Sequence, residues 1–376
     1  MAPVVKALDT APEVDSRVCV TAQHRQMLDQ VLELFDITPD IDLDLMRPNQ
    51  TLAEITAAVF SKLEPVLVDL QPDWVLVQGD TTTVMSAALL AYYHRIRIGH
   101  VEAGLRTGDK WQPFPEEINR KVAGVVADLH FAPTEWSREN LLHEGIPEDR
   151  ILVTGNPVID AIQSVAQLPP PPEALELFRR LELLDEPDTP ANSSAKKSRL
   201  VLITAHRREN FGEPLEEICA AIHQLADDYQ EGVHFLYPVH LNPNVQEPVY
   251  RCLTGIPNVT LTPPLDYLPF VHVIKRASLI LTDSGGLQEE APGLGTPVLV
   301  MRRVTERPEG IKAGTVRLVG TDKDRIVSET HRLLDDPAAY REMANAINPY
   351  GDGQAAARIV QAVLDYQAKL SSRKIN

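Results

Sequence analysis

The chain has 376 residues, room for about two domains at roughly 150 residues apiece. Its 53 acidic against 36 basic side chains give a formal charge of −17, which argues against tracking a nucleic-acid backbone and leaves an anionic ligand only a local basic pocket. The 44% hydrophobic content is that of a globular protein with ample core, while Cys19, Cys219 and Cys252, with no CxxC pair, exclude a disulfide framework or a thiolate zinc site.

No apolar run approaches the roughly 18 residues of a bilayer span. The opening MAPVVKALDTAPEVD lacks the basic start and apolar stretch of a signal peptide. The chain therefore reads as soluble and cytoplasmic, with neither membrane nor nucleic acid as partner. Short β-branched runs alternate with segments of helical period, the pattern of parallel α/β architecture. After a helix-like Pro3–Leu8, the first series predicts strands at 17–21, 74–78, 96–101, 129–132 and 151–154. Helices fall between them at 24–35, 52–70, 82–93, 116–127 and 135–144. A second series predicts strands at 200–204, 234–238, 259–261, 279–281, 298–300 and 316–319, with helices at 215–229, 244–253, 267–275 and 324–334. A terminal helix at 354–370 follows Pro349.

Between the series, 168–172 holds four consecutive prolines and reads as a rigid spacer; 185–198, rich in Pro, Ser, Ala and Lys, reads as a flexible loop. The expected architecture is two doubly wound α/β domains facing a cleft. The first covers 1–160 with the return of the terminal helix at 352–376, the second 161–351. The first series opens on a helix where a doubly wound domain usually opens on a strand, so its first strand reads as missing.

Ligands of open α/β sheets bind beyond the carboxyl ends of the strands. Several predicted strands here run straight into polar clusters: WVLVQ into Asp80 and three threonines, IGHV into Glu102-Ala103-Gly104, LVLITA into His206-Arg207-Arg208, and LILTD into Ser284-Gly285-Gly286. Asp80 alone fits a helix cap at least as well as a functional role. Glu102 fits no cap or helix pair and reads as functional. Glu116 and Glu117 follow Pro115 at a helix start, where the dipole favours carboxylates in any case. Ser284-Gly285-Gly286 could bring backbone N–H groups to a phosphate or simply make a tight turn. One turn on, Glu290 could accept ribose hydroxyls or serve the dipole. His206-Arg207-Arg208 offers guanidinium forks suited to phosphate, with Glu209 as an alternative structural partner.

Two apparent motifs carry nothing. Gly351-Asp-Gly353-Gln-Ala-Ala matches G-x-G-x-x-A but follows Asn-Pro-Tyr instead of a strand, and reads as a turn into the last helix. His100-x-Glu102 lacks the paired cysteines of a zinc deaminase. No metal and no nicotinamide cofactor is expected.

Taken in order, QGDTTT at 78–83, GHVEAGLRTG at 99–108, PEEINR at 115–120, HRREN at 206–210, YPVHLNPNV at 237–245, DSGGLQEEAP at 283–292, TERPEG at 305–310 and NPYGDGQAA at 348–356 resemble the non-hydrolysing UDP-N-acetylglucosamine 2-epimerases. The resemblance covers nearly the whole chain outside 185–198. It implies two Rossmann-like domains in the GT-B-like arrangement of many sugar-nucleotide glycosyltransferases. It implies an isomerase interconverting UDP-GlcNAc and UDP-ManNAc by elimination and re-addition of UDP, supplying ManNAc units for cell-surface polysaccharide as a cytoplasmic homodimer. By the same resemblance Asp80, Glu102 and Glu116 are the acid–base carboxylates and His206 stands by the substrate. Ser284, Gly285, Gly286 and Arg307 match the diphosphate contacts, Glu290 the ribose contact and Phe270 a neighbour of the uracil. Gln23, His24 and Gln26 resemble a second site at which substrate activates some bacterial members. Asn49-Gln50 departs from the arginine that accompanies that site in some relatives.

The family begins with a strand and a Gly-Thr-Arg-Pro-Glu loop, followed by Ile-Lys-Met-Ala-Pro. This chain opens at that Met-Ala-Pro, so the expectation is an active form starting about fifteen residues upstream. A hydrolysing relative that releases UDP and N-acetylmannosamine stands as the alternative. A noncatalytic UDP-sugar binder is the third reading.

Overall fold

A computed structural model describes residues 1–22, 25–45, 47, 49–183 and 198–373, less the side chains at 26, 27 and 373. Gln23, His24, the side chain of Gln26 and all but the last residue of the 185–198 loop lie outside the described residues.

The chain divides into two compact units, 1–161 with 350–376, and 162–349. The first runs α1 (Ala2–Asp9), β1 (Cys19–Val20), α2 (Arg25–Leu34), β2 (Ile41–Asp42), α3 (Leu52–Leu70), β3 (Trp74–Gln78), α4 (Thr82–Tyr93), β4 (Arg97–Val101), α5 (Glu116–Val126), β5 (Leu129–Ala132), α6 (Glu135–His143) and β6 (Ile151–Val153), and the division falls within the next helix, α7 (Pro157–Val165). The second runs α8 (Pro172–Arg180), β7 (Arg199–Thr204), α9 (Glu213–Asp228), β8 (Val233–Pro238), α10 (Pro243–Leu253), β9 (Val259–Thr262), α11 (Tyr267–Arg276), β10 (Leu279–Thr282), α12 (Leu287–Glu290), β11 (Val298–Val300), α13 (Pro308–Ala313), β12 (Val316–Leu318), α14 (Lys323–Asp335) and α15 (Pro337–Ala344). The last helix, α16 (Ala355–Arg373), belongs to the first unit.

Among the described residues every strand pair is parallel. In the second unit the order β12-β11-β10-β7-β8-β9 makes a doubly wound sheet whose order reverses between β7 and β10. In the first unit β3-β4-β5-β6 form one sheet, and β1 and β2 pair separately. Helices on both faces of a parallel sheet bury its strands almost completely. Hence all four residues of β5 and all four of β10 are buried. One face of the first unit packs α3–α5 through Ile55, Val59, Val84, Ala88 and Ala123. The other packs α1 and α16 on β5 through Val4, Phe131, Ile359 and Val363.

Local chemistry sets the helix boundaries. A capping box of Thr51 and Glu54 opens α3, and Gln71 closes it with φ +45°. Four helices that the periodicity left unassigned, α7, α8, α13 and α15, all begin on a proline: Pro157, Pro172, Pro308 and Pro337. Proline breaks a helix interior but suits its first position, where its N–H would be unbonded anyway. The expected proline spacer therefore ends as the start of α8. The two-residue strand β2 also escaped the pattern. Cys219 of α9 and Cys252 of α10, 33 positions apart, are free thiols that belong to one packed cluster, Cys219 in its core and Cys252 against it. Separation along the chain did not imply separation in space.

The discarded glycine motif is a turn: Gly351 and Gly353 take φ of +140° and +81°. The α16 N–H groups of Ala355 and Ala356 donate to the carboxylate of Asp160 at 3.2 and 2.9 Å. That helix N-terminus is occupied from within the fold.

Among the described residues no helix is long and apolar enough to cross a membrane.

Candidate active site

In the first unit, side chains at the carboxyl ends of β3 and β4 form a connected polar cluster with the start of α5. Thr81, not Asp80, caps α4, its hydroxyl accepting from the Val84 N–H at 3.3 Å. The capping role that suited Asp80 in the sequence is thus filled by its neighbour. The Asp80 carboxylate instead receives Nη2 of Arg120, a guanidinium only 7% exposed, and the Asp80 carbonyl accepts from Asn119 Nδ2 at 2.9 Å. Nη1 of Arg120 binds Glu117 at 2.9 Å.

Glu117 is fully buried and accepts the backbone N–H groups of Thr107 and Gly108 at 3.2 Å each. It therefore fastens the loop after β4 to α5. Its neighbour Glu116 keeps one buried oxygen, Oε2, without a hydrogen bond. Two adjacent glutamates that look alike in the sequence have separated into a structural group and a candidate chemical one.

Glu102 follows β4 with φ +62°, a left-handed conformation costing on the order of 1–3 kcal/mol in a non-glycine residue. Such strain persists where surrounding structure overdetermines it. Gln78 donates to Glu102 Oε2 at 3.3 Å, and His100 bonds the Gly79 carbonyl at 2.8 Å, holding the β3 turn beside it. At Gly104, φ +90°, a Cβ would lie 2.2 Å from the Ser137 carbonyl oxygen, so the Glu-Ala-Gly turn fits against α6 only with glycine there.

In the second unit, residues beyond β7, β8 and β10 surround a cavity of about 310 Å³. His206, His240, Tyr267, Phe270, Ser284, Gly286 and Glu290 are among its lining. Burial, with Glu289 adding and Arg307 opposing, pushes the Glu290 carboxyl up to about 7. The Tyr267 hydroxyl beside it is also raised by burial and by Glu290.

Neither Gly285 nor Gly286 has a positive φ, so these glycines do not serve a left-handed turn. They allow close approach: a Cβ on Gly285 would lie 2.7 Å from Arg307 Nη1. The helix expected after them is only the single turn α12, followed by a 3₁₀ turn at Pro292–Leu294.

Arg307 pairs with Glu289 at Nε and with Glu306 at Nη1, so the expected diphosphate cation already holds two carboxylates. Arg302 bridges Glu306 at 2.8 Å and Glu209 at 2.7 Å. Glu209 is a structural partner, as its sequence neighbourhood allowed, but of Arg302 and not of the adjacent arginines. His206 stacks on His240 with ring centroids 5.3 Å apart, and its Nδ1 lies 3.5 Å from Asp283 Oδ1.

The structure thus groups His206, Phe270, Ser284, Gly286 and Glu290 at one cavity, with Gly285 and Arg307 alongside. It groups Asp80 and Glu102 at the β3 turn, and ties Asp80 to the helix that carries Glu116. Site contributors that sequence reading did not single out are Arg120, His240, Tyr267 and Asp283. His240, Tyr267 and Asp283 lie at predicted strand ends or a helix start, where a search by position would have found them; Arg120 lies one turn inside α5.

The family model described as UDP-N-acetylglucosamine 2-epimerase matches residues 6–364. A UDP-N-acetylglucosamine 2-epimerase of Salmonella typhimurium is 55% identical over 370 residues, covering 98% of this chain and 96% of its own length. A crystal structure of a putative UDP-N-acetylglucosamine 2-epimerase from Listeria monocytogenes superposes with a TM-score of 0.88 at 46% identity, covering 98% of this chain and 93% of that one. The UDP-GlcNAc 2-epimerase of Neisseria meningitidis, solved bound to UDP-GlcNAc, has a TM-score of 0.84 at 47% identity, with 97% and 96% covered. With a family match over most of its length, and relatives this similar end to end, the chain belongs to the UDP-N-acetylglucosamine 2-epimerase family.

Proposed function

We propose that this protein is an isomerase that interconverts UDP-GlcNAc and UDP-ManNAc, inverting C2 of the sugar by eliminating UDP and adding it back. The carrying observation is the second unit's cavity, where an aromatic ring, small residues at a strand end and a buried carboxyl meet at a doubly wound sheet. That combination suits a nucleotide: Phe270 for the uracil face, Glu290 for the ribose hydroxyls, and Ser284, Gly285 and Gly286 for close approach of the diphosphate. Arg307 supplies positive charge there, shared with Glu289 and Glu306.

The hydrogen on C2 is not adjacent to a carbonyl, so no side chain removes it directly at neutral pH. As the C1–O bond to UDP breaks, the sugar becomes oxocarbenium-like and the C2 proton becomes acidic. A carboxylate takes that proton, leaving a glycal and UDP. Re-addition reverses each step, with the proton delivered to the opposite face of C2 and UDP rejoining C1. Asp80, Glu102 and Glu116 supply the acid–base groups and His206 acts beside the departing diphosphate. The sum is an isomerisation without net redox change.

The same reading has the enzyme acting in the cytoplasm as a homodimer and supplying ManNAc units for cell-surface polysaccharide. NMR of UDP-GlcNAc incubated with the enzyme in deuterated water is the test. UDP-ManNAc carrying deuterium at C2 is expected. Free N-acetylmannosamine with UDP would make it a hydrolase instead, and full retention of the original C2 hydrogen in the product would remove the elimination mechanism.

A further inference from the structure

In the second unit the two strands at the point where the sheet order reverses, β7 and β10, run side by side with Thr204 opposite Thr282. His206 and Asp283 emerge together from their carboxyl ends. Asp283 is fully buried. Its Oδ2 accepts three donors: the backbone N–H groups of His206 at 2.9 Å and Arg207 at 2.8 Å, and Asn210 Nδ2 at 3.0 Å. Those bonds shape the turn after β7 and account for one oxygen only.

The other oxygen, Oδ1, is buried without a hydrogen bond, and His206 Nδ1 stands 3.5 Å from it. A buried carboxylate oxygen left unbonded costs free energy, so a small ring movement that closes this gap is favoured. The stacked neighbour His240 is otherwise engaged, its Nδ1 accepting from the Asn242 N–H at 3.1 Å.

We infer that Asp283 is a positioning residue for His206: Oδ1 accepts the Nδ1–H, which fixes the neutral imidazole in one tautomer and leaves Nε2 as the acceptor at the cavity that His206 lines. The inference rests on the proposed epimerase reading for the role of His206, not for the contact itself. When Nε2 takes up a proton from solvent, Asp283 stabilises the resulting imidazolium, which then donates that proton to the oxygen of the departing UDP; in re-addition the UDP oxygen returns it to Nε2 as the bond to C1 reforms. Burial lowers the His206 pKa; Asp283 opposes that effect, while His240 and Arg207 add to it. Of the other titratable groups, Tyr267 and Glu290 line the same cavity as the ring.

Asp283→Asn separates the structural duty from the chemical one. The amide oxygen still accepts the three donors of the turn, but its NH₂ now faces His206 Nδ1. That forces Nδ1 to accept and puts the proton on Nε2. UDP affinity by calorimetry is expected within about threefold of wild type. Turnover is expected to fall about 10²-fold or more, as when a histidine is held in the wrong tautomer. The pH limb belonging to His206 is expected to move down.

Imidazole ¹⁵N NMR of histidine-labelled, UDP-bound protein should show Nδ1–H for wild-type His206 and Nε2–H in the variant. Turnover of Asp283→Asn within threefold of wild type would overturn the inference, as would a wild-type His206 protonated at Nε2. Should the variant fail to fold, the wild-type spectrum alone decides. A wild-type enzyme that forms no UDP-ManNAc would overturn the functional reading, while the tautomer still decides the contact.

Discussion

Glu102 carries a cost that a structural glutamate has no reason to carry: its backbone is left-handed, while its carboxylate accepts from the Gln78 amide. Asp80 differs, since a nearly buried arginine holds it directly. Glu102→Gln keeps the shape and removes the titratable group, so turnover should drop by about 10²-fold or more while UDP binding survives. Ser284→Ala should reverse the pattern, weakening UDP binding more than it slows turnover of bound substrate. A product assay beside calorimetry with UDP separates the two, and a Glu102→Gln enzyme with near-normal turnover would remove that carboxylate from the mechanism. That Glu102 is a candidate was legible in the residues, because a strand-end glutamate beside a glycine served no local purpose. Its strain was not, since backbone dihedrals follow from packing of the Glu-Ala-Gly turn against α6.

At the level of elements, β4 and β5 place two buried histidines directly opposite one another, His100 and His130. Burial lowers His100 to about 4 and His130 to about 3. Both lie below the ordinary value, so the unfolded chain binds more protons than the folded one below about pH 6.5. The stability these residues contribute is present above that pH and is lost as pH falls towards 4. Between pH 6.5 and 5 the pair should withdraw a few kcal/mol. Denaturant titrations at the two pH values should show the loss in the wild type, and a smaller one in His130→Gln. Equal losses of stability in the two proteins would place the acid sensitivity elsewhere. The elements themselves were largely readable, because strands buried on both faces appear as unbroken apolar runs. Helices opening on proline were not, because the same residue marks both a break and a beginning.

Across the whole molecule, the second unit is a continuous stretch, whereas the first is closed by a helix from the far end of the chain. Ile359, Val360 and Val363 of α16 are buried in one cluster with Val4, Leu129 and Phe131. At roughly 1.5–3 kcal/mol per buried aliphatic side chain, losing them removes about 5 kcal/mol or more. That is comparable to the typical stability of a folded domain, about 5–15 kcal/mol. Ending the chain after Gly353 should therefore unfold the first unit and spare the second. Circular dichroism should record partial loss of helix, with UDP binding retained. A truncated protein with an unchanged unfolding profile would contradict this account of the core.

By itself the sequence determined the alternation of strand and helix, the strand ends at which polar side chains gather, and the family, because hydrophobic period and short motifs are local properties. Tertiary structure alone decided which partner each charged group meets. Arg120 reaches Asp80 across 40 positions, His206 approaches Asp283 across 77, and Glu117 takes the loop N–H groups while Glu116 keeps an unbonded oxygen. Those pairings depend on which strands lie side by side, and the reversal between β7 and β10 follows no order written along the chain.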